Sequence, residues 1–118
     1  MQQAYTRQLD AQFAELQAAW HKLQQEGVNP ETRLQLGFSY AAPTETVAKE
    51  LGEMMQRKHG YEVEVEKQDK TELWLVLGKT VETTLTLDIL QKWLAYMVQA
   101  GAERGCLFGG WHALRSSP

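Results

Sequence analysis

Two stretches of this chain alternate apolar and polar residues with a period of two, and they restrict its fold more than any other feature. In Arg33-Leu34-Gln35-Leu36-Gly37-Phe38-Ser39-Tyr40 an apolar side chain occupies every second position, and in Tyr61-Glu62-Val63-Glu64-Val65-Glu66 glutamates fill the gaps. Successive side chains of a strand point to opposite sides, so each stretch predicts a strand with one buried face and one solvated face. The three glutamates share a face and repel one another. That suits an edge strand, where charge discourages sheet-to-sheet aggregation.

Helical periods surround these strands. Tyr5, Leu9, Phe13, Leu16, Trp20 and Leu23 recur in steps of four or three and predict an amphipathic helix that stops at Gly27, followed by Asn-Pro turn chemistry at Asn29-Pro30. Its stripe serves either core packing or a coiled coil or partner helix, and a length of barely three heptads favours the core. Pro43 and Thr44 open a second helix with Val47, Leu51, Met54 and Met55 on one face and Gly60 just past its end. After the polar turn "KQDKTE", the continuous run "LWLVLG" predicts a strand covered on both sides that pairs with its predecessor as a hairpin. A third helix is expected from about Thr86, with Ile89, Leu90, Trp93, Leu94, Met97 and Val98 apolar, Thr84 or Thr86 capping it and Gly101 and Gly105 ending it. The short apolar "CLFGGWHAL" closes the order as a strand, and "RSSP" reads as a frayed tail.

Leading helix, then strand, helix, strand, strand, helix, strand is the split βαβ order called ferredoxin-like. Short connections and right-handed crossovers then give an α+β fold, βαββαβ, with a four-stranded antiparallel sheet, two helices on one face and an additional N-terminal helix. The first and third strands are expected in the centre, the second and fourth at the edges. At 118 residues the chain suits one domain, residues 1–27 forming the leading helix and 32–114 the core.

Composition excludes several classes. Apolar residues at 43% and charged residues at 23% are ordinary for a soluble globular protein. A net charge of −3 carries none of the basic footprint that nucleic-acid phosphate demands, so no direct nucleic-acid partner is expected. The N-terminus has neither a signal-peptide pattern nor a spanning run, which makes the cytoplasm the default compartment with no membrane partner. One cysteine, Cys106, and the scattered His21, His59 and His112 offer no disulfide framework and no metal cluster, and no cofactor is implied.

Catalytic chemistry finds little support. "FGGW" lacks the spacing and the following helix of a phosphate loop. Cys106 and His112 are six positions apart, roughly 20 Å on an extended strand, so a buried thiol is favoured over a nucleophile–base pair. His59 sits where a cation helps a helix C-terminus, His21 reads as solvated, and the glutamates lack a partner acid in an apolar pocket. Trp74 invites comparison with sheets that stack RNA bases, but the open side of the first strand carries no aromatic and the second strand presents carboxylates; Trp74 reads as core. No catalytic residue is expected.

Together, the segments resemble the regulators of ribonuclease E activity, type B, protein inhibitors of an RNA-degrading enzyme. The resemblance rests on "LQQEGVNPETRLQLGFSY" after an amphipathic helix, on "ETVAKELGEMMQRKHGYEVEV", on "TLDILQKWLAYMVQAGAERG", and on "FGGWHAL" against an aromatic-Asp-Gly-Trp-Gly signature. The aspartate of that signature is Gly109 here, its final glycine is His112, and the acidic tail of the classical members is not present before Pro118. The resemblance implies a non-enzymatic, protein-binding regulator of RNA turnover with ribonuclease E as partner. The expected partner surface joins the open sheet face, with Gln35 and Ser39, to Phe108, Gly110 and Trp111. "FGGW" itself reads as an edge strand in which glycine permits a bulge, with Trp111 anchoring the sheet in preference to touching a partner. The alternatives are a stand-alone interaction module, either an immunity-like inhibitor or a homodimerisation device using the leading helix, and a hydrolase or transferase on Cys106.

Overall fold

A computed structural model describes residues 2–29 and 31–115, with side chains from Asp10 to Leu114. The Tyr5 and Leu9 side chains of the predicted stripe, Pro30 and the final three residues of "RSSP" fall outside the described residues. The elements are α1 (Gln2–Gln25), β1 (Arg33–Ala42), α2 (Glu45–His59), β2 (Glu62–Lys67), β3 (Trp74–Lys79), β4 (Thr83–Thr84), α3 (Leu87–Ala102) and β5 (Leu107–Arg115). They form a mixed α/β protein with an antiparallel sheet and three helices.

Local chemistry sets the element ends. Gly27, with φ of 100°, closes α1 in a Schellman motif: Val28 N–H donates to Leu23 O at 3.0 Å and Gly27 N–H to Gln24 O at 3.1 Å, while the Val28 side chain is buried. Asn29 Oδ1 accepts from Glu31 N–H at 2.8 Å, turning the chain toward β1. Thr44 and Thr86 cap α2 and α3, each hydroxyl accepting from the N–H three residues on, Val47 and Ile89, at 3.2 Å. Gly60 ends α2 in the left-handed region, as expected. Gly101 does not end α3; it stays helical and buried, and the left-handed residue is Gly105.

β1 is the hub of the sheet. It pairs antiparallel with β3 from Gly37↔Lys79 to Ala42↔Trp74, and on its other side with β5 from Leu34↔Arg115 to Ala41↔Leu107. Among the described strands β2 pairs only with β3, from Glu62↔Lys79 to Lys67↔Trp74. Beyond the end of β3, the Thr80 hydroxyl accepts from Leu36 N–H at 3.0 Å and Thr80 N–H donates to Leu36 O at 2.8 Å. The chain then bridges Arg33 and Leu34 as the two-residue β4, an element the alternation did not reveal.

Leu34, Leu36, Phe38, Tyr40 and Ala42 of β1 are buried, and they face the helices. α2 packs over β2 and β3, α3 over β5, and α1 lies along α3. Leu16 and Trp20 of α1 thus join the buried residues of α3, Leu94 and Met97 among them, in one hydrophobic cluster. Tyr40, fully buried, donates its hydroxyl to Met97 O at 2.7 Å, and burial holds its phenol far above the usual range. The same ring is the reason position 101 is glycine: a Cβ there would stand 2.5 Å from Tyr40 Cε1.

Candidate functional site: the uncovered sheet face

With α2 and α3 packed on one side of the sheet and α1 along α3, no helix among the described residues lies over the other face. The register composes that face in rows. Glu62, Lys79, Gly37 and His112 form one row, Glu64, Leu77, Ser39 and Gly110 the next, and Glu66, Leu75, Ala41 and Leu107 the third. Gln35 lies further along β1, opposite Leu114. The face therefore runs from an exposed acidic border on β2, across leucines of β3, to the irregular strand β5.

β3 departs from expectation here. Its apolar run predicts cover on both sides, yet Leu75 and Leu77 are only half-buried, because they point away from the helices. A run of apolar residues reads alike whether its second face meets a helix in the same chain or water. Leu107 is 60% exposed at the far end of the third row. Between the two borders runs a groove of about 1040 Å³, with Glu62 and Glu64 on one side, Gly110 and His112 on the other, and Leu77 and Ser39 in its floor.

The irregularity in β5 is a β-bulge. Ser39 pairs with Gly110 and Tyr40 with Phe108, so Gly109 is the extra residue. Gly110 has φ of 138°, open only to glycine without strain. The bulge puts both aromatics of "FGGW" on the helix side. Phe108 is buried against Tyr40 and Trp93, with ring centroids 5.3 and 6.4 Å away, and Trp111, opposite Phe38, is half-buried against the same core. Without the extra residue, two positions three apart would face opposite sides.

The structure thus divides the five residues expected to share one surface. Gln35, Ser39 and Gly110 are together on the uncovered face, Phe108 lies inside the core, and Trp111, whose ring is on the helix side, lines both the groove and an adjoining cleft of about 480 Å³ against α1 that Glu15, Lys22 and Gly110 also line. The leucines at 75, 77 and 107 and the glutamate row share the face with Gln35 and Ser39. The parity of the strands, combined once their pairing is known, is the signal that locates them.

Gly109 and His112, where the sequence departs from the signature it resembles, are both on this face. His112 lays its imidazole over Gly37, where a Cβ would overlap the ring. At Gly109 a Cβ would meet Ser39 Oγ at 2.8 Å, so an aspartate there would displace the serine hydroxyl.

Other reactive groups are elsewhere. The Cys106 thiol is buried, which pushes its pKa up, and it lies 3.9 Å from Arg104 O. His112 is exposed. His59 Nε2 is 2.7 Å from Tyr96 Oη and its ring stacks on Tyr61 at 5.1 Å; burial, helped by Lys58, lowers its pKa. Trp93 Nε1 donates to Tyr61 Oη at 3.3 Å, tying α3 to the start of β2. His21 is exposed and 3.1 Å from Gln25 Nε2. Among the described residues, no group of three His, Cys, Asp or Glu side chains could hold a metal ion, and no helix is long and apolar enough to cross a membrane.

These features define a mixed α/β protein that keeps three helices on one side of an antiparallel sheet and an acidic, leucine-bearing face on the other. The chain belongs to the RraB family, regulator of ribonuclease activity B, which it matches over residues 14–113. That span runs from the middle of α1 into β5 and includes both the glutamate row and the bulge. A search of curated proteins finds no match.

Proposed function

We propose that this chain is a protein-binding regulator that modulates RNA turnover by contact with a ribonuclease, with ribonuclease E as the partner, and that it does so without catalysing a reaction of its own. The family match over residues 14–113 carries this reading. A net charge of −3 and an exposed row of glutamates support a protein partner over RNA, whose phosphates they would repel. We place contact on the uncovered face around Gln35, Ser39 and Gly110, give Phe108 and Trp111 a supporting role behind it, and assign the protein to the cytoplasm. The strand order β2-β3-β1 with β5 beyond supports a ferredoxin-like topology for this single domain. The burial of Leu16 and Trp20 within the chain supports core packing of α1 over pairing with a second copy.

The test is a cleavage assay. Purified ribonuclease E acting on a structured RNA is expected to slow when this protein is added in excess, and the two proteins are expected to associate in calorimetry. An unchanged cleavage rate together with no heat of binding would remove the proposal.

A further inference from the structure

We infer that the uncovered sheet face docks an amphipathic helix of the protein partner, with its apolar stripe on Leu75, Leu77 and Leu107 and a basic flank along Glu62, Glu64 and Glu66. This deepens, and rests on, the proposed role as a protein-binding regulator. Leu107 is 60% exposed and Leu73, just before β3, is 40% exposed, so these leucines present apolar surface that nothing in the described chain covers. Surface of this kind, rimmed by polar residues, marks a contact site.

Charge complementarity selects the occupant. Glu62, Glu64 and Glu66 are all exposed, and none of them belongs to an ion pair among the described residues. Lys79 stands across from Glu62 only, so the border keeps a negative excess. A cation-bearing partner gains from it, and an acidic partner or RNA is repelled. A second copy laid face to face would bring its own glutamate row into the same contact.

Size selects a helix over a strand. Strands lie about 4.8 Å apart, so the three intervals from β2 to β5 span roughly 14 Å, enough for one helix of about 10–12 Å diameter. The small side chains at Ser39, Ala41 and Gly110 keep the floor low between the two borders, and the His112 imidazole over Gly37 closes one end of it. Alternate residues of β2 are about 7 Å apart, near the roughly 6 Å between i and i+4 positions of a helix, so successive cations on one flank can meet successive glutamates. A strand added at the β2 edge would leave the leucines uncovered.

The probe is a synthetic helical peptide of leucine and lysine, about five turns long, with a control in which glutamate replaces lysine. Titrated into the ¹⁵N-labelled full chain, the lysine peptide is expected to shift the amides of Ala41, Leu75, Leu77 and Leu107, and the control none. Affinity is expected to fall at least about tenfold in Glu62→Lys/Glu64→Lys/Glu66→Lys and in Leu107→Glu, each checked for native circular dichroism. Shifts confined to α1, α2 and α3, or equal affinity in both variants, would overturn the inference. Ribonuclease E binding by the same proteins separates the two readings. If wild type and both variants bind the enzyme equally, the docking face is wrong and the regulator stands. If wild type takes the lysine peptide on this face and never the enzyme, the face stands and ribonuclease E is wrong.

Discussion

Tyr40 shows how one side chain constrains distant positions. Its hydroxyl needs Met97 O, and its ring needs an absent Cβ at position 101, so Gly101→Ala is expected to destabilise by about 1–3 kcal/mol through overpacking, although alanine is the better helix former. A urea midpoint that rises in this variant would contradict the packing argument. His59 makes a second prediction. Burial and Lys58 hold its pKa below 6.5 in the folded chain, so the unfolded chain binds more protons in that range. The neutral ring's stabilising contribution is complete above pH 6.5 and is lost as pH falls through the lower folded value. Urea midpoints at pH 7.5 and pH 5 should therefore drop further for wild type than for His59→Gln, since carboxylate effects are common to both. At this scale the sequence was partly legible: His59 reads as a helix-end cation, and its pairing with Tyr96 and Tyr61 depends on elements 37 residues away and on the start of β2.

Among the elements, β1 and β2 were readable because alternation states directly which side of a strand is buried. β4 was not, because Thr83 and Thr84 pair only where β1 extends past β3. The "FGGW" segment lies between these cases. A glycine-permitted bulge is legible from the glycine pair, but its phase is not, and the phase decides that Phe108 and Trp111 share the helix side. Gly110→Val is expected to cost roughly 1–3 kcal/mol, because a β-branched residue is strained at φ of 138°. Gly109→Ala should cost less, since Gly109 lacks a positive φ and the Ser39 hydroxyl can rotate away, and Ser39→Ala in the same chain should recover part of the loss. Equal penalties at 109 and 110 in denaturant unfolding would place the bulge elsewhere.

For the molecule as a whole, the position of α1 settles what surface remains. By packing along α3 it widens the helix layer, and the opposite sheet face is left bare among the described residues. Trp20→Ala is accordingly expected to destabilise by about 3–5 kcal/mol, as for a buried aromatic, and thermal unfolding with light scattering would check it. Dissociation of a dimer by that substitution, with little loss of monomer stability, would instead assign the α1 stripe to a second copy. The amino-acid sequence alone determined the helices, the principal strands, their order, the one-faced character of β1 and β2 and the resemblance that the family match over residues 14–113 then established. These follow from nearest-neighbour chemistry: side-chain period, caps and turn residues. Tertiary structure alone decided that β3 is covered on one side, that Phe108 is core while Gln35 and Ser39 are surface, and that leucines from two strands align beside the glutamate row. Those outcomes depend on which strand pairs with which and in what register, a relation between residues far apart in the chain that no local period encodes.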